Sequence, residues 1–511
     1  MLRCHPGGND PQMDADTRRC NRDEGVPSSA SSASSADDLS SLPIPPRYWW
    51  LKRLLLASAC LLVALVLLRV WWGHHAQSLL DAEIAGYRAA GQLVFAREFD
   101  ERLDAIPDED NAALIYEEAM RLHSNVTTGP VFDYWMMKPR RIALDPDPVR
   151  KLIEANAGVF DLIRQARDRD RVNWSAKLEG AMWRPMTPLY VQMRQLAKHL
   201  ATRAAWQIHT GDHAGAIETF EDALRFGEAM EANPTLLSNL VAWACHALTF
   251  SSIGEHSAVL RIEGATETGS DDIRPASRAS VETLIKHLLD ESRSRRSFVQ
   301  MWYGERAMVL SYLDYLTPGA MPGGASVGPG PVVFGARDKL TLPLIKTSLV
   351  RAARSHTLMA DRAAMETWPD SVRALDSRTE EESFMESLTQ FLGTMVASPL
   401  ASALDLFHRL VARRRMAAIA LAIRLYEIDH GKRPADLTLL VPDYLPAVPV
   451  DPFAPDSAPL RYIRDLDPPI LYTVWKDGED NEGNQQSAPG QNGWAGRDRT
   501  LYLGPNPNDD E

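Results

Sequence analysis

From Leu54 to Leu68 the chain carries no charged residue, within the longer run RYWWLKRLLLASACLLVALVLLRVWWGHH. A stretch this apolar belongs in a bilayer or a protein core, and its flanks decide between them. Trp49 and Trp50 stand at one end, Trp71 and Trp72 at the other, where interfacial aromatic belts stand. With Arg69 reaching toward the head groups, the apolar stretch extends to Trp72. Residues 47–75 are therefore predicted to form a single-pass transmembrane signal anchor. Arg47, Lys52 and Arg53 outweigh Arg69, which places residues 1–46 in the cytoplasm and the C-terminal bulk across the membrane. A cleaved signal peptide fits poorly, because no small-residue cleavage site follows the run. LASAC ends in Cys60, but the apolar run continues well past it.

Residues 1–46 include SSASSASSADDLSS and are predicted to be a disordered tail, with too little apolar surface to offset chain entropy. Beyond the anchor the composition is that of a globular protein, 45% hydrophobic and 24% charged. The net charge of -13 argues against general nucleic-acid binding, which needs basic surface. The cysteines Cys4, Cys20, Cys60 and Cys245 form neither a disulfide framework nor a zinc motif.

From 76 to 400 the hydrophobic spacing is helical, and a helical periplasmic domain is predicted. Asp110 is the expected N-cap of NAALIYEEAM, Asp147-Pro148 and Asn233-Pro234 are expected helix starts, and Gly254 is an expected stop. Residues 317–335 are rich in Gly and Pro and are predicted to be a loop. In the hairpin over about 197–230, two helices flank Gly211-Asp212, with Ala204, Ala216, Phe220 and Ala223 at close-packing positions. This hairpin resembles one tetratricopeptide repeat, a unit of roughly 34 residues. It departs from the pattern at the closing proline position, where Glu228 stands, and no clear second copy follows. An irregular antiparallel helical array is predicted rather than a solenoid.

No HExxH, GxSxG, Walker A or GxGxxG phrase is present, so no catalytic residue is assigned. His209 and His213 straddle the hairpin turn and are expected at the surface, with His199 within reach.

After Pro399 the character changes. Leu404, Phe407, Val411, Ile419, Ile423 and Tyr426 lie at helical spacing up to Gly431, with Arg413 to Arg415 expected on the solvated face. A short helix, ADLTLLVPDYL, and three short strands, LRYI, ILYTVW and RTLYLG, follow. The phrases Tyr426…Gly431-x-x-Pro434, Tyr444-Leu445-Pro446…Pro449-x-Asp451-Pro452-Phe453, Tyr462 and Tyr472-Thr473…Asp477-Gly478…Asp480 come in order. In that order they resemble the C-terminal domain of the type II secretion major pseudopilin. Uncharacterised membrane-anchored helical bacterial proteins carrying this module have a similar layout. The chain departs from a pseudopilin in having its apolar helix far upstream, no Gly–Glu processing phrase before it, and Trp475 where the family has glycine.

The predicted fold is mainly α with a small C-terminal α+β domain over 401–511, a pseudopilin-like helix plus a small antiparallel sheet. The resemblance implies a calcium site in the acidic turn, with Asp477, Asp480, Asn481, Glu482 and Asp498 as oxygen donors. Calcium takes about six to eight oxygens and would offset the mutual repulsion of the cluster. The expected role is a non-enzymatic structural or interaction protein of the bacterial inner membrane, with envelope or secretion-assembly partners. Two alternatives stand beside it. An envelope hydrolase would need acidic or histidine side chains converging in a buried cleft of the helical domain. A pseudopilin subunit proper would be cut by prepilin peptidase.

Overall fold

Helix-forming residues with apolar stripes dominate the chain, and the structure is correspondingly mainly helical. The computed structural model describes residues 48–123, 146–179, 187–264, 273–315, 342–376, 384–486 and 496–505. The tail expected over 1–46 and the loop expected over 317–335 lie outside the described residues. By contacts the chain divides into Met1–Val66 and Leu67–Glu511.

Helix α1, Trp49–Ala89, contributes to both units and runs well past the end of the expected anchor. Its most apolar window has a mean hydropathy of 2.5, and none of that window is buried. Leu55, Leu56, Leu62 and Leu67 are exposed, a face that water would not tolerate at this length. From Ala76 onward α1 turns amphipathic and buries Leu80 and Tyr87 beside Val350. Among the described residues one other helix, Leu236–Ser257, is long and apolar enough to span a bilayer, but 61% of its window is buried in the protein. It is a core helix.

In the second unit α2 is Ala96–Asp104, α3 Ala112–Leu122, α4 Pro146–Ala155, α5 Ala157–Arg167, α6 Thr187–His209 and α7 His213–Glu231. Next come α8 Leu236–Ser257, α9 Arg278–Leu289, α10 Ser292–Tyr315, α11 Leu342–Ala363, α12 Trp368–Asp376 and α13 Phe384–His430. Helices α6 and α7 form the expected hairpin: Gly211 turns at φ 85°, and the Asp212 side chain caps α7 by accepting from Gly215 N. Ala204, Ala216, Phe220 and Ala223 are all buried in it. Helix α8 packs on α6, α7 and α13, and α10 packs on α11.

Several expected helix ends shift. Asn111 rather than Asp110 caps α3, its side chain accepting from Ala113 N. Thr235 rather than Asn233 caps α8. Gly254 does not stop α8, which continues to Ser257; a Cβ there would press on Leu501, so the glycine admits β3 to the helix surface. Gly431 does end α13, with φ 68°.

The boundary expected at 400/401 falls inside α13, and residues on both sides belong to one unit. Strands β1 (Arg461–Ile463), β2 (Ile470–Thr473) and β3 (Arg499–Tyr502) form an antiparallel sheet in the order β1-β2-β3. Arg461 pairs with Tyr472, and Leu471 with Leu501. Leu471 and Leu501 face the core built on α8 and α13. Asp451, from the Pro-x-Asp-Pro phrase, staples its loop to β2: Oδ1 accepts from Phe453 N at 2.9 Å and Thr473 Oγ1 at 2.5 Å, Oδ2 from Val474 N at 3.0 Å.

The expectation that Arg413 to Arg415 face solvent is overturned. Arg414 is buried and donates to the carbonyl oxygens of His287, Leu288 and Asp290, the orphan acceptors at the C-terminal end of α9. Arg415 reaches the half-buried Glu291 at 2.6 Å and the Val450 carbonyl at 2.7 Å.

Candidate functional sites in the acidic loop and the helical core

After β2 the chain makes one 3-10 turn, Trp475–Asp477, and reverses at Gly478 with φ 69°. The carboxylates then serve the backbone of the loop. Asp477 Oδ1 accepts from Glu479 N at 3.3 Å, and Oδ2 from Gly496 N at 2.8 Å, which ties the two ends of the loop together. Asp480 Oδ1 accepts from Glu482 N and the Tyr472 hydroxyl, and Oδ2 accepts from Arg461 Nε at 2.7 Å. Asp498 Oδ2 accepts from Asn481 N at 3.1 Å and Gly483 N at 2.7 Å. Its Oδ1 is shut away from solvent and accepts no hydrogen bond among the described residues.

Asp498 is therefore the strained member. It is 1% exposed, and burial, with the charge of Asp480 adding to it, raises its pKa to about 6. The structure thus brings Asp480, Asp498 and the Asn481 backbone together, with Asp477 anchored at the loop neck. The Glu482 side chain is exposed, and the Asn481 amide turns back to the Glu479 carbonyl. Among the described residues no three His, Cys, Asp or Glu side chains are grouped as a metal ion needs. The donor chemistry still suits a hard cation: carboxylate and carbonyl oxygens, one of them buried and unsatisfied. Arg461 already neutralises Asp480 in part.

A second polar cluster lies in the helical core, and no sequence motif announces it. His287 on α9 has Nδ1 2.8 Å from Glu221 Oε1 and Nε2 2.8 Å from Glu228 Oε1. Burial works against the imidazolium, but the two carboxylates prevail and raise its pKa. Burial likewise works against ionised Glu228, yet His287, Arg414 and Arg293 bring it down to about 2. One turn on, Glu231 is 1% exposed; Oε2 accepts from Ser294 Oγ at 2.8 Å, while Oε1 accepts nothing and lies 3.4 Å from His246 Nε2. Gly227 allows this approach, since a Cβ there would overlap the His246 ring. A cleft of about 640 Å³ borders the cluster, lined among others by Glu228, Glu231, Arg293 and Arg296.

Of the hairpin histidines, His209 is exposed as expected, but His213 is buried and held neutral, its pKa lowered to about 4 by burial and by Arg261. His199 meets His123 instead, Nδ1 to Nε2 at 2.6 Å. Glu228, in the sequence only a departure from the repeat pattern, is a member of the buried cluster.

Comparison of the chain with protein-family models, with curated proteins and with solved structures finds no match.

Proposed function

We propose that the chain is a membrane-anchored, non-enzymatic structural or interaction protein of the bacterial envelope. In this reading α1 spans the inner membrane once, with the tail in the cytoplasm and the C-terminal bulk in the periplasm. The C-terminal module resembles that of the type II secretion major pseudopilin and takes calcium at the acidic loop, and its partners are envelope or secretion-assembly proteins. The observation that carries the reading is the Asp498 carboxylate, buried beside Asp480 with one oxygen unsatisfied. A divalent cation there would satisfy that oxygen and relieve the repulsion, with Asp477, Asp480, Asn481 and Glu482 near enough in sequence to complete the set.

The test is calorimetric titration of calcium into the full chain in a nonionic detergent, beside Asp498→Asn. Saturable heat with a rise in melting temperature, absent in the variant, supports the reading. No heat up to millimolar calcium removes it.

A hydrolase with its site in the helical domain is favoured by one observation, the cleft beside Glu228, Glu231 and His287. A general base needs a free lone pair, and Glu231 Oε1 has one. Most of the cluster, however, is saturated by its own cations, as a structural network is. Hydrolysis of generic ester, amide and glycoside substrates by the wild type, lost in Glu231→Gln, would reverse the preference.

A further inference from the structure

Where α13, α8 and the sheet meet, positive charge is left without enough negative charge to balance it. Arg409 and Arg413 stand one turn apart on α13, a like-charge spacing that disfavours the helix. Arg499 opens β3 opposite Thr473 and lies 4.0 Å over the Trp475 ring. Among the described residues, the one carboxylate that pairs with any of these arginines is Asp405, 3.0 Å from Arg409. Asp405 is already shared with Lys476, also at 3.0 Å, and accepts from the Trp475 indole. Arg413 and Arg499 make no ion pair among the described residues, and the Nε atoms of Arg409 and Arg499 are shut from solvent without a hydrogen-bond acceptor.

The arginines border a cavity of about 170 Å³ whose other walls, Thr473 apart, are apolar, among them Leu240 and Trp243 from α8 and Leu410 and Met416 from α13. That is close to the volume of roughly 150 Å³ that accommodates benzene in an apolar protein cavity. It is too small for a long acyl chain. Charge without a counterion at the rim of a small, largely apolar cavity calls for a ligand that is anionic at one end and apolar at the other.

We propose that this pocket binds a small amphiphilic anion, an aryl or short branched carboxylate or phosphate. The anionic head lies between Arg413 and Arg499, and the apolar body lies against Trp243 and Met416. The guanidinium of Arg499, already stacked on Trp475, presents its edge to the anion. This site is separate from the acidic loop, and its occupancy does not depend on calcium.

The full chain in nonionic detergent is titrated by calorimetry with phenylphosphate and phenylacetate. Inorganic phosphate supplies the head without the body, and phenylacetamide the body without the charge. Saturable binding of both aryl anions is expected, at least about tenfold tighter than either control, as loss of one charge-assisted contact implies. Arg413→Gln and Arg499→Gln each weaken it by a similar factor, whereas Asp498→Asn leaves it unchanged. Retained helical circular dichroism shows that a non-binding variant is folded. Binding of phenylacetamide as tight as that of phenylacetate overturns the proposal, as does undiminished affinity in the folded double variant or no saturable binding of either anion.

Discussion

Replacing Asp498 by asparagine should stabilise the calcium-free protein, the opposite of what deleting a buried, hydrogen-bonded side chain usually does. The folded state raises the pKa of this carboxyl from an ordinary 3.8 to about 6. At about 1.36 kcal/mol per pH unit, that places a penalty on the order of 3 kcal/mol on the ionised form. Asparagine carries no charge and still accepts from Asn481 N and Gly483 N, but its amide N–H group takes the buried place of Oδ1, where no acceptor lies among the described residues, a loss on the order of 1 kcal/mol. The net gain is about 2 kcal/mol near neutral pH. The folded protein binds this proton more tightly than the unfolded chain, so the penalty grows as pH rises from 3.8 to about 6 and is absent below. The advantage of the variant should therefore be full at about pH 7.5 and gone at about pH 3.5. With roughly 2.1 cal/mol/K of unfolding entropy per residue, a unit as large as Leu67–Glu511 would shift its melting temperature by only about 2 °C. Urea unfolding followed by circular dichroism at the two pH values is the better assay. Saturating calcium should reverse the ranking, since a ligand at a hundred times its Kd adds about 2.7 kcal/mol to the wild type alone. A variant less stable than the wild type at neutral pH without calcium would refute the claim that Asp498 is held ionised at a cost.

Arg414→Met should destabilise the second unit by about 3–5 kcal/mol, because it strands three carbonyl acceptors and removes one of the cations, beside His287 and Arg293, that balance Glu228; urea midpoints measure it, and a loss below about 1 kcal/mol would count against it. Stability should peak in mildly acidic solution. The Glu228 contribution is present above its ordinary value of 4.5 and lost as pH falls toward about 2, while that of His287 is present below its ordinary 6.5 and lost as pH rises through its raised folded value. A melting series in His287→Gln should lack the alkaline decline, and its persistence there would assign the decline to another group.

The anchor-like helix, the dominance of helix, the α6–α7 hairpin and all three strands were legible in the sequence, because each rests on local periodicity or on turn residues. Gly431 as a terminator is such a case, its positive φ being a property of the residue itself. What could not be read were properties conferred by neighbours distant in sequence. Arg414 follows and precedes another arginine, a pattern that normally marks a solvated face, yet it is buried because α9 ends against α13 and presents bare carbonyls. His213 is buried where the Arg274 backbone, distant in sequence, pairs with the hairpin turn. The Glu221–His287–Glu228 cluster draws on α7 and α9, and no spacing within either helix reveals it. In the acidic loop the residues were legible but their partners were not: Arg461 comes from β1, across the sheet.

The burial of α13 decides how far the pseudopilin resemblance can be carried. Met416 to Ala422 are each at most 1% exposed, and seven consecutive buried residues cover every face of a helix. This segment is therefore enclosed on all sides by α8, α9 and the sheet, and has no stripe left for a second copy. Freeing it for a filament contact would expose at least Phe407, Met416, Ile419 and Leu421, at about 1.5–3 kcal/mol each. That sum, about 6–12 kcal/mol, is comparable to the whole stability of a typical domain, about 5–15 kcal/mol. Assembly through residues 402–430 of this helix would thus cost about what folding provides. A partner of the kind proposed would instead meet the exposed part of the acidic loop, Glu479, Asp480 and Glu482, because both faces of the central strand β2 are buried.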